Sequence, residues 1–95
     1  CREYARRRTH RMLDIASALD TNLVIVWFAR EGTYLREAKD SKVAVDRIVE
    51  AINDMLAYNP EIRIAIEAKP NEPMDHTYIP TTGHAIALGL LCDDP

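Results

Sequence analysis

Between two short strand-like runs, Leu23 to Phe28 and Glu61 to Lys69, the chain sets Val45, Ile48, Val49, Ile52, Met55 and Leu56 at i, i+3, i+4, i+7 spacing. That single stripe constrains the fold more than any other feature, because an amphipathic helix must bury its apolar side against something. Leu23 to Phe28 is a continuous apolar run of β-branched and aromatic residues, of the kind buried on both faces in a parallel sheet. A strand, a crossover helix and a second strand make a right-handed parallel unit. Asp40 or Ser41 supplies the helix cap, and Asn59-Pro60 ends the helix.

The rest of the chain repeats the alternation. Met12, Ile15, Ala16 and Leu19 recur at helical spacing in Tyr4 to Leu19, and Asp20-Thr21-Asn22 makes a polar stop. Gly83 to Leu91 reads as the opening of another helix. Long polar loops, 30–39 and 70–82, follow the two strands, whereas the returns from helix to strand are short. That asymmetry suits the (β/α)8 TIM barrel, whose loops after the strands build the active site. The expected fold is therefore α/β: a partial (β/α)8 barrel of about two βα units with a preceding helix, spanning 1–95 as one segment. Two strands cannot close a barrel and would leave unpaired edges, so an internal fragment of a larger barrel domain is expected.

Composition narrows the function. With 12 basic and 15 acidic side chains the balance is mildly acidic, against a dedicated nucleic-acid binder or a membrane-surface protein. The basic cluster from Arg6 to Arg11 reads as a solvated helix face rather than a phosphate patch. Two cysteines at opposite ends form neither a disulfide framework nor a zinc spacing, which suits a reducing, cytoplasmic setting. No apolar run approaches the roughly 18 residues that span a bilayer.

Ile66 to Pro73, Ile-Glu-Ala-Lys-Pro-Asn-Glu-Pro, is the segment richest in chemistry. On an extended strand Ile64 and Ile66 share one face, while Arg63, Ala65 and Glu67 share the other. The same alternation sets Lys69 beside Glu67, positioned to act on one ligand, and Pro70 then forces an exit. On the residues alone, Glu67 is equally a ligand for a hard divalent cation and a salt-bridge partner of Lys69. Trp27, on the residues alone, is core.

Glu67-x-Lys69-Pro70-Asn71-Glu72-Pro73, followed by Pro80-Thr81-x-Gly83-His84, resembles the fifth strand and following loop of the xylose isomerase-like sugar isomerases. Upstream, Trp27, two residues, then Arg30-Glu31-Gly32 is similar to the family's fourth-strand tryptophan with its Arg-Glu-Gly loop, and the two motifs keep the family's order and spacing. The resemblance, covering roughly Leu23 to Leu88, implies a metal-dependent aldose–ketose isomerase working by hydride shift between the first two carbons of an open-chain sugar. It assigns Glu67 to the divalent metal (Mn²⁺, Mg²⁺ or Co²⁺). Lys69 becomes the catalytic, substrate-binding group at the carbonyl oxygen, and Trp27 an apolar wall of the sugar site. Glu72 becomes a supporting group that orients a metal-bound group or a loop backbone. The expected partner is a monosaccharide, in a full-length protein that is a homo-oligomer, a tetramer by resemblance.

Phe28-Ala29 stands where xylose isomerases usually carry two glycines, and Met74-Asp75-His76 where they usually carry Arg-Gly-Asp. With Thr33-Tyr34 and Thr77-Tyr78-Ile79-Pro80, these departures look more like the L-rhamnose isomerase-type branch. The alternatives are a xylose isomerase, a sugar epimerase or metal-dependent phosphodiesterase on the same barrel, and a sugar-binding protein that has lost its metal set. Asn71 is expected to shape the loop turn and His84 to cap or pack its helix, while His10 and His76 show no partner pattern.

Overall fold

The computed structural model describes residues 1–28, 38–70 and 77–94. The order is α1 (Arg2–Ala18), β1 (Leu23–Trp27), α2 (Ser41–Tyr58), β2 (Arg63–Glu67) and α3 (Thr82–Gly89). The strands pair in parallel, from Leu23 opposite Arg63 to Trp27 opposite Glu67. Among the described residues they form an open two-stranded sheet, so the α/β class holds and the crossover helix is α2. A closed barrel is more than these elements make.

Local chemistry explains the boundaries. Asp40 caps α2, its carboxylate accepting from the Val43 N–H at 3.0 Å. At the other end Asn59 turns the chain, its side-chain oxygen accepting from the Glu61 N–H. Helix α1 closes with the Asp20 N–H donating to Ser17 O and the Thr21 N–H to Ala16 O, a Schellman arrangement. It places Asp20 at φ 57°, a left-handed position usually taken by glycine.

The core lies between the helices and one side of the sheet. Leu13 and Ala16 of α1, Val24 of β1, Ala44, Ile48, Ile52 and Met55 of α2, and Leu88 of α3 form it with Ile62, Tyr78 and Ile79. Val26, Ile64 and Ile66 pack against it. The stripe read from α2 is thus the buried one, with Val45, Val49 and Leu56 at its margin.

Three expectations are corrected. Of the residues read at helical spacing in α1, Ala16 is buried and Met12 packs against the core, yet Ile15 and Leu19 are 48% and 73% exposed. Leu13 is instead fully enclosed, because the sheet and α2 meet the flank it shares with Ala16. The double-sided burial expected for the first strand is also absent among the described residues. Val24 is buried while Leu23, Ile25 and Trp27 face outward, Ile25 at 60% exposure, because every described helix lies on the opposite side of the sheet. The second strand is shorter than expected, ending at Glu67 rather than Lys69.

Helices α1 and α2 run side by side in the same direction, joined by a polar seam. Arg2 pairs with Glu50, Arg6 lies 3.5 Å from Asp54, and His10 Nε2 lies 2.6 Å from Asp54 Oδ2. Tyr58 stacks on the His10 ring at 3.8 Å and donates its hydroxyl to Asp14. Asn59 donates to Ser17 Oγ one step further on. Among the described residues no helix is long and apolar enough to cross a membrane.

Candidate functional site at the strand ends

Parallel pairing brings both strands out at one end of the sheet, and the register sets Trp27 directly opposite Glu67. Both belong to the face turned away from the helices, and both are exposed. Two residues beyond β2, the Lys69 ammonium stands over the Trp27 ring, 5.1 Å from its centroid, within cation–π range. An indole face, a carboxylate and an ammonium on separate strands and a loop thus converge. Three of the residues singled out from sequence share one neighbourhood.

The backbone at Lys69 is held from one side by the returning chain. Its N–H donates to Ile79 O at 3.0 Å, and the Thr77 hydroxyl donates to its carbonyl. Thr77, Tyr78 and Ile79 are all buried, so the chain re-enters the core before α3 begins. Thr81 then caps α3: its Oγ1 accepts from the His84 N–H and lies 2.8 Å from His84 Nδ1. His84 is therefore a capping residue, and its exposed ring does not join the strand-end cluster.

Glu72, Asn71, His76 and the Arg30-Glu31-Gly32 loop lie outside the described residues. Among those described, no three His, Cys, Asp or Glu side chains are grouped to hold a metal ion. Glu67 itself fits one position of a hard divalent cation: it is an exposed, strand-anchored carboxylate, and such ions take six or more oxygen ligands.

A cleft of about 500 Å³ lies elsewhere. Tyr4, Arg7, Arg8, Arg11, Met12 and Ile15 line it along the outer flank of α1, without a carboxylate or imidazole. It is one side of a helix rather than an enclosed pocket, and the Arg8 guanidinium there leans over Tyr4. The strand ends carry the more specific chemistry.

His10 was the residue whose setting the sequence reading missed. Its signal was a ladder of Arg2, Arg6, His10 and Asp14 at spacing four, facing Glu50, Asp54 and Tyr58 at the same spacing. Such rows lie on one helix face. No model of a known protein family matches the chain.

Proposed function

We propose that these two βα units belong to a (β/α)8 barrel of the xylose isomerase-like type, and that the protein is a divalent-metal-dependent aldose–ketose isomerase nearest the L-rhamnose isomerase branch. The observation that carries the reading is the convergence of Trp27, Glu67 and Lys69 at the carboxyl ends of adjacent parallel strands, where barrel enzymes gather their catalytic groups. The bare outward face of Leu23, Ile25 and Trp27 adds support, since inward-facing strand residues of a barrel are covered only when further strands complete it. The remaining strands, with a second glutamate, a histidine and aspartates, would come from beyond these 95 residues, and a tetramer is the proposed assembly.

Each residue then has a physical role. Lys69 donates a hydrogen bond to the carbonyl oxygen at the sugar's first carbon. Its charge, fixed in a site partly screened from water by Trp27, stabilises negative charge that develops on that oxygen as hydrogen moves between the first two carbons. The indole offers an apolar wall to the C–H face of the sugar. Glu67 would hold a divalent cation such as Mn²⁺, which when bound supplies Lewis-acid polarisation of adjacent sugar oxygens. Glu72 would steady that arrangement from the loop.

The test is isomerisation of L-rhamnose, D-xylose and related aldoses by the protein with its complete barrel, after chelation and again with Mn²⁺. Metal-dependent turnover lost in Lys69→Ala and Glu67→Gln is the expected result. Tight metal binding without turnover on any aldose would defeat it and favour an epimerase or a sugar-binding protein.

A further inference from the structure

The Lys69 side chain reaches Trp27 from a residue that no longer belongs to a strand, so the ladder does not position it. What holds it is the chain eight to ten residues later. Thr77 donates its hydroxyl to the Lys69 carbonyl, and the Ile79 carbonyl accepts from the Lys69 N–H, so both polar atoms of this residue's backbone are engaged by one short stretch. That stretch is anchored: Thr77 and Ile79 are each 3% exposed, with Tyr78 buried between them, and the chain passes straight into capped α3. A threonine hydroxyl is unusual at so buried a position, and Thr77 is the one buried polar residue among those described. A buried hydroxyl stays favourable only while bonded, so this bond restrains where the Lys69 backbone can sit. We propose that Thr77 is a positioning residue, whose hydroxyl fixes the Lys69 backbone so that the ammonium stands over Trp27 and is aimed at the ligand before the ligand arrives.

The proposal rests on the reading of Lys69 as a ligand-contacting group, but its test does not need a sugar. Trp27 is the only tryptophan in the chain, so its emission reports this site alone. An ammonium 5.1 Å from the ring attracts iodide and repels caesium. The ratio of iodide to caesium quenching should therefore fall by about twofold or more in Lys69→Met at moderate ionic strength. Thr77→Val, which removes the hydroxyl and keeps the shape, should move the ratio most of the way to the Lys69→Met value, and Thr77→Ser should restore it. Thr77→Ala, which leaves room for a water on the Lys69 carbonyl, covers the case in which valine does not fold. A role in stability alone would lower the melting temperature and leave the ratio of the folded variants untouched, and that result overturns the proposal. So would rapid hydrogen exchange of the Lys69 amide in the unmutated chain. Absence of turnover on any aldose by the complete protein, with the quenching effect intact in these 95 residues, would retire the isomerase reading and leave the role of Thr77 standing.

Discussion

Leu13→Ala is the substitution that most directly tests how α1 is held. Among the described residues Leu13 is the one large side chain with no exposed surface, and it sits where α1 meets the sheet and α2. Truncation removes three carbons from a closed site, for which lost transfer energy and the residual cavity together cost about 3 kcal/mol, within a range of roughly 2–5. A domain of 95 residues has a typical stability of about 5–14 kcal/mol, so the loss is a large share of the whole. In urea, with a slope of about 1.5 kcal/mol per molar, the midpoint should fall by roughly 2 M. The assay is urea unfolding followed in parallel by far-ultraviolet circular dichroism and Trp27 emission. Circular dichroism follows the described helices and the indole follows the sheet. Coincident curves shifted by that amount mean that α1 is an integral part of the core. A shift below about 0.5 M at unchanged slope would refute the packing argument, since it would place Leu13 against solvent. Separated curves would show α1 detaching on its own.

Two further predictions concern termini and titration. Asp20→Gly relieves a left-handed backbone position and should raise stability by about 0.5–1 kcal/mol, read as a higher urea midpoint; a lower midpoint would mean that the Asp20 side chain contributes more than its backbone costs. Tyr58 is held above its ordinary value of 10.0 by its hydrogen bond to Asp14, and burial pushes the Cys92 thiol above 9.0. Both groups bind their proton more tightly when folded, so their contribution is complete below those values and is lost as pH rises past them. Melting temperature should hold across neutral pH and fall from about pH 9 upward, and Tyr58→Phe should flatten the upper part of that fall.

Sequence reading located every described helix, most firmly α2, which carries an unbroken stripe and at its ends Asp40 and Asn59, whose chemistry is local; the Thr81 cap of α3 it passed over. In α1 it caught Met12 and Ala16 but passed over Leu13, because Ile15 and Leu19 are as apolar as Leu13 and only the position of α2 and the sheet decides among them. The face that Glu67 takes was legible from strand alternation, which depends on spacing alone, but that alternation stops with β2, two residues short of Lys69. The contact between Lys69 and Trp27 was not, since it needs the register of two strands separated by a helix. Nor was the Thr77 bond, which crosses a loop. The seam between α1 and α2 lay in plain view as two rows at spacing four, but a row of charges gains meaning only when its partner row is known.

That seam has a peculiarity of its own. Both helices present their polar groups at one interval, Arg2, Arg6, His10 and Asp14 against Glu50, Asp54 and Tyr58, so sliding α1 by one turn, about 6 Å, would bring cations opposite carboxylates again. The charges alone therefore define a ruler with repeated marks and no origin. The origin comes from what cannot repeat: the single aromatic stack of His10 on Tyr58, and Leu13 in its closed seat.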